Sequence, residues 1–203
     1  GRNKKKSFSS IHMSRSLSTT IRKARSLLRQ RRGLSAGAGA DAAPWQSAQP
    51  RGYVACKVIM HWGEMDSYSH LNNCVHFRYF ESARIEHFRR LKNHLSESSF
   101  KSFMYAKGTG PILASTSCKY IRPVMFPDTL VVTSKLLALP EVGDSRFTQD
   151  YTLWSFEQER VVAKGEGTIV MFDYNNNVRG EVSEELRAAL RAVDESEADV
   201  VTL

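Results

Sequence analysis

One long helical run, set between strand patterns, limits the fold more than anything else in this chain. From about Asn73 to Leu95, the residues Phe77, Phe80, Phe88, Leu91 and Leu95 recur at helical spacing. They form one apolar stripe roughly 100° wide. Before the run, Tyr53 to Trp62 alternates, with Val54, Cys56, Val58, Met60 and Trp62 on one face, the period of a half-buried strand. After it come segments of strand character at about Ile112–Ile121, Thr129–Leu139, Arg146–Phe156 and Val161–Phe172. Pro111, Pro123, Pro127 and Pro140 lie between or at the ends of these segments, where a missing ladder donor is tolerated. Glu97 to Gly110 reads as a short helix and a loop, and Glu181 to Val193 as a closing helix. Strands that follow one another without intervening helices favour an α+β fold over a doubly wound sheet. The expected architecture is a five-stranded antiparallel sheet wrapped around one long helix.

The chemistry concentrates where the first strand gives way to that helix. The sequence there is Trp62-Gly63-Glu64-Met65-Asp66-Ser67-Tyr68-Ser69-His70-Leu71-Asn72-Asn73. A carboxylate, an imidazole and two amides converge on one strand-to-helix corner. Such a corner aims a base and the unpaired N–H groups of a helix N-terminus at the same point. Asp66 can act as a base or nucleophile, or can fix the turn through its own backbone. His70 can hold water or polarise a carbonyl, or can bond only the loop. The side chains of Asn72 and Asn73 suit helix capping. Arg84 projects onto the apolar stripe, so a carboxylate or carbonyl partner is expected for it.

The pattern D-x-x-x-H-x-N-N, followed by Phe77-Arg78-Tyr79-Phe80-Glu81-Ser82-Ala83-Arg84, resembles the hotdog-fold thioesterases of the 4-hydroxybenzoyl-CoA thioesterase type. The resemblance runs from about Tyr53 to Asp173. It implies a hotdog domain that hydrolyses acyl-CoA thioesters to free acid and CoA. Asp66 then matches the catalytic aspartate, and the backbone N–H of Asn73 matches the oxyanion donor. His70 matches the histidine of the acyl-carrier-protein version, D-x-N-x-H-x-N-N. Tyr68 stands where that version has Asn, which favours CoA over a carrier protein. A second branch of the family puts its carboxylate on the long helix, making Glu81 the runner-up base; an ion pair with Arg78, Arg84 or Arg122 is the structural alternative. Lys119 and Arg122 are candidates for the CoA phosphates, against ordinary surface pairing. The resemblance also implies a homodimer or homotetramer with acyl sites between subunits. A non-catalytic hotdog subunit, or an acyl-binding module of a larger mitochondrial assembly, is the competing function, because folds outlive their chemistry. A hotdog dehydratase would want a histidine in another strand context, which is not found.

Charge separates the chain into parts. Of its 203 residues, the first 40 hold 11 Lys or Arg and no Asp or Glu. The remainder carries 18 basic and 21 acidic residues, so the formal +8 belongs to the N-terminal extension. A basic domain surface for nucleic acid is therefore not supported. Residues 1–50 are expected to be a disordered basic extension, followed by the hotdog domain over 51–180 and a C-terminal helix and tail over 181–203. Within the extension, about 13–34 resembles a mitochondrial transit peptide. It is rich in Arg and Ser, it lacks acids, and Leu17, Ile21, Ala24 and Leu28 share one helical face. Arg32-Gly33-Leu34-Ser35 resembles a processing site, and small residues after it suit a linker. The expected location is the mitochondrial matrix, with a plastid or the cytoplasm as alternatives.

Cys56, Cys74 and Cys118 lie far apart in apolar contexts and are expected to be small buried hydrophobes. Their spacing suggests neither zinc nor a disulfide framework. No motif for a nucleotide, a Rossmann cofactor or an α/β-hydrolase nucleophile is present, so no cofactor is expected. No apolar run reaches the roughly 18 residues of a membrane span.

Overall fold

The computed structural model describes residues 53–196 and 200–203. The transit segment, its processing site and the linker expected within 1–50 lie outside the described residues. Strand β1 (Val54–Ile59) leads through a short loop to α1 (Asn73–Arg90). Then come α2 (Glu97–Tyr105), β2 (Thr109–Tyr120), β3 (Thr129–Leu136), β4 (Arg146–Ser155) and β5 (Arg160–Asp173). The chain finishes with β6 (Val178–Arg179), α3 (Glu184–Glu195) and β7 (Val200–Thr202). No described helix is long and apolar enough to cross a membrane.

The sheet runs β2-β5-β4-β3-β1-β7, with β6 paired to β5. The five expected strands are all present and mutually antiparallel. The expected count is corrected by two short additions, β6 on β5 and β7, which lies parallel to β1. Two or three residues cannot show a period of two, so these strands left no signal in the sequence.

Helix α1 lies across one face of this sheet. Phe80, at its centre, is fully buried and stacks on Tyr151 of β4, with ring centroids 5.1 Å apart. Gly165 of β5 lies beneath Phe80; a Cβ there would run into the ring and the Ser117 carbonyl. The helix stops earlier than its stripe suggests, at Arg90, and tightens into a 3-10 turn at Leu91–Asn93. At that end Phe88 meets Phe103 of α2 and Phe147 of β4 edge-on, and α3 closes the core with Leu186, Leu190 and Val193.

Expectations need correction at three further residues, Trp62, Cys74 and Cys118. β1 ends at Ile59, and Trp62 is 71% exposed because the chain has already turned into a 3-10 helix. Only Cys56 of the three cysteines is buried; Cys74 is exposed and Cys118 half-buried. Burial, with Glu86 nearby, pushes the Cys56 thiol up to about 12, so it stays a neutral packing residue.

Strand β2 forms one end of the sheet and carries a bulge. Leu113 pairs with Ile169, Ala114 is skipped, and Ser115 pairs with Thr168. Strand side chains alternate, so the extra residue shifts which set faces the helix. Pro111 and Leu113 face inward before it; Thr116, Cys118 and Tyr120 face inward after it.

Candidate active site

The loop between β1 and α1 is tied down before any functional group is placed. Met60 N–H donates to the Asp128 carbonyl at 3.1 Å and Leu71 N–H to the Val124 carbonyl at 2.7 Å. The Glu64 carboxylate accepts from the His61 N–H at 2.7 Å and the Tyr79 hydroxyl at 2.8 Å, fastening the loop to α1. Burial and this bond both hold the Tyr79 hydroxyl protonated, well above the usual phenol range.

Inside the loop, Asp66 N–H donates to the His70 carbonyl at 2.7 Å, and Ser69 takes the left-handed conformation that closes the turn, with φ of 62°. One carboxylate oxygen of Asp66, Oδ1, accepts from the N–H groups of Tyr68 at 2.8 Å and His70 at 3.2 Å. The turn-fixing alternative for Asp66 is thus realised on Oδ1. Oδ2 makes no hydrogen bond among the described residues, which leaves one oxygen of a rigidly held carboxylate for other work.

Helix α1 begins at this point. Asn72 is its N-cap, and the side-chain carbonyls of Asn72 and Asn73 both accept from the Cys74 N–H at 3.0 Å. The Asn73 N–H belongs to the first turn, whose amides have no intrahelical acceptor. Asp66, His70, Asn73 and Arg122 line one open cavity of about 350 Å³, floored by Leu71 and Val124. Carboxylate, imidazole, helix N-terminus and guanidinium are therefore brought together.

Two of the residues named from the sequence lie elsewhere. Glu81 does not line this cavity; it sits about two turns further along α1, exposed, with Arg84 Nη2 at 3.7 Å. The buried Arg84 thus finds the carboxylate expected of it, and its positive charge partly offsets the rise that burial gives the Tyr151 phenol. Lys119 is exposed and points to the outer face of β2, opposite to its neighbour Tyr120.

The cavity also contains two residues that sequence reasoning missed. Tyr120 donates its hydroxyl to the Asn73 carbonyl at 3.4 Å. His76, on the first turn of α1, is 4% exposed and packs edge-on against Tyr120, with centroids 5.0 Å apart. Burial pulls the His76 pKa down, only partly countered by its bond to the Asn72 carbonyl, so the ring is neutral near pH 7. The available signal was positional. Helical Cα–Cβ bonds tilt toward the N-terminus, so a first-turn side chain leans back over the end of its helix. Two further cavities, of about 460 and 470 Å³, lie near α2 and α3; neither contains a histidine.

Residues 60–190 match the family model described as the thioesterase-like superfamily. The chain belongs to that superfamily. It is 36% identical over 103 residues to the uncharacterized protein YsmA of Bacillus subtilis (strain 168), an alignment covering 51% of this chain and 62% of that protein's length. Among solved structures it is similar to the PA2801 protein of Pseudomonas aeruginosa, at 26% identity and a TM-score of 0.54, over 67% of this chain and 96% of that one. The same fold occurs in Slr0204, a 1,4-dihydroxy-2-naphthoyl-CoA thioesterase from Synechocystis, at 15% identity and a TM-score of 0.57, covering 71% and 100%. It occurs again in a thioesterase of Thermus thermophilus complexed with coenzyme A and Zn, at 22% identity and a TM-score of 0.56, covering 70% and 94%. Thioester hydrolysis is the general chemistry that this membership supports, on the hotdog fold expected from the sequence.

Proposed function

We propose that this protein hydrolyses acyl-CoA thioesters, with Asp66 as the base and the Asn73 N–H as the oxyanion donor. The observation that carries this reading is the unengaged Oδ2 of Asp66 in the same cavity as the α1 N-terminus. Water gives a proton to Asp66 as its oxygen bonds the carbonyl carbon. The oxyanion that forms meets the partial positive charge of the helix end. Its collapse breaks the C–S bond, and CoA leaves as a thiolate that takes up a proton. Thiolate is a good leaving group, so no strong acid is needed. His70, at the cavity wall, holds the incoming water or carbonyl. Arg122 provides a fixed positive charge for a CoA phosphate.

The proposed assembly is a homodimer through β2. That strand has 12 residues, lies at one end of the sheet, and exposes most of its side chains, Ile112, Leu113 and Tyr120 among them. Such an edge is a template for pairing with another chain. Sedimentation should give twice the chain mass, falling to the monomer in Ile112→Asp; a monomeric wild type would defeat this part. The Arg-rich first 40 residues, which lack Asp and Glu, support delivery to the mitochondrial matrix.

The decisive experiment measures thiol release from short, long and aromatic acyl-CoAs by wild type and Asp66→Asn. Wild-type turnover that drops by about a hundredfold or more in the variant is expected for loss of a base. A wild type that is folded yet silent on every substrate would overturn the enzyme reading in favour of an acyl-binding module. Hydrolysis in ¹⁸O-water separates the two roles of Asp66: label entering its carboxylate in a single turnover would make it the nucleophile.

A further inference from the structure

We infer that His76 is a positioning residue for hydrolysis: its Nε2 accepts a hydrogen bond from the attacking water, while Asp66 accepts the other and takes the proton. The inference rests on the hydrolytic reading above.

The geometry of the ring is unusually constrained for a cavity residue. His76 Nδ1 lies 3.2 Å from the Asn72 carbonyl oxygen. A carbonyl only accepts, so Nδ1 must carry the proton. In the neutral ring this leaves Nε2 with a lone pair and no proton. Tyr120 packs edge-on against the same ring and fixes its plane. The Asn72 carbonyl belongs to the residue that caps α1 and immediately precedes the proposed oxyanion donor. Ring orientation and donor position are therefore set by one stretch of backbone.

The surroundings of Nε2 suit the same role. His76 borders the cavity that also holds Asp66. Its Nε2 has no bond among the described residues, yet it is absent from the polar atoms sealed away from solvent, which include both ring nitrogens of His87. It thus reaches the cavity as an unused acceptor. Water has two protons. One acceptor fixes the direction of one O–H bond and leaves the molecule free to spin about it. A second acceptor stops the spin and points a lone pair at the carbonyl carbon, which is the orientational part of catalysis. The imidazole needs no change of charge in this role, so a neutral, buried histidine that borders the cavity suits it better than an exposed one.

The test uses the full-length protein and a pair of substitutions that divide the ring. His76→Asn keeps an amide N–H near the Nδ1 position, able to donate to Asn72, and removes Nε2. His76→Gln places an amide oxygen near Nε2 as a substitute acceptor. Both are compared with wild type for kcat, KM and melting temperature on the acyl-CoA that wild type prefers. The expected result is a kcat lowered about tenfold or more in His76→Asn, the scale of one orienting hydrogen bond, with KM and melting temperature nearly unchanged. His76→Gln should recover a substantial part of kcat. Wild-type rates in His76→Asn would overturn the inference while leaving the thioesterase standing. Equal losses in both variants, with lowered melting temperatures, would assign His76 to packing and overturn it as well. A wild type without turnover on any acyl-CoA would remove the hydrolytic reading and this role together.

Discussion

The two ends of α1 carry the same residue type and use it in opposite ways. His76, near the start, is buried but borders a cavity: one ring nitrogen is bonded to Asn72 and the other has no bond among the described residues. His87, near the finish, is completely enclosed, and neither of its ring nitrogens has a hydrogen-bonding partner among the described residues. Burial pulls its pKa down to about 4, and the nearby Ser134 backbone offsets this only in part. The first end has capped amides, a carboxylate and water access. The second has Phe88 and Leu91 in a core closed by α2 and α3. A histidine, then, is a chemical group only where the packing leaves it an outlet; elsewhere on the same helix it is filler that must stay neutral.

That contrast can be broken most forcefully through activity at the open end. Asp66→Asn should abolish most turnover yet melt close to wild type, because an amide Oδ1 still accepts from Tyr68 and His70. A large fall in melting temperature would show that the loop depends on the charge itself.

The enclosed end should respond through stability. His87 has a folded pKa of about 4, below its unfolded value near 6.5. Above pH 6.5 neither state binds the proton and nothing is lost. Below it the unfolded chain is protonated first, so stability falls until the pH reaches the folded value, by about 3 kcal/mol in all. His87→Leu should keep activity and lose this acid sensitivity, as followed by urea unfolding from pH 7 to 4. Parallel pH curves for variant and wild type would contradict the contrast.

A smaller effect sharpens the cavity's boundary. Arg122→Ala should raise KM for acyl-CoA by about tenfold, the worth of one charge-assisted contact. Lys119→Ala, on the outer face of β2, should leave it within about twofold. The reverse ranking, in steady-state kinetics, would move the CoA phosphates to the outer face. Least of all, Asn72→Ala should cost about 1 kcal/mol of stability as a lost N-cap, read from the urea midpoint.

The sequence made the long elements and the loop legible because both depend on local rules. The α1 stripe, the alternation of β1 and the Asp66-to-Asn73 spacing are each set by neighbours along the chain. His76 and Tyr120 were not legible, since their meeting depends on how far β2 runs alongside α1. The same holds for Glu81 and Lys119: their residue types fit the chemistry, but helix phase and strand parity carry them away from the cavity. Trp62 failed for a related reason, because a change from strand to 3-10 turn resets the alternation that had put it on the inner face.

The skipped residue in β2 sets the reading frame of the site. Tyr120 leans over the start of α1 because the bulge at Ala114 absorbs one residue before the pairing resumes. A strand of this length with unbroken alternation would exchange inside for outside along the following stretch, turning Lys119 inward and Tyr120 away from His76. Removing Ala114 together with its bulge would leave the later residues on the faces they hold now. Relatives one residue shorter at this point would therefore keep the same cavity wall, provided that the bulge is lost with the residue.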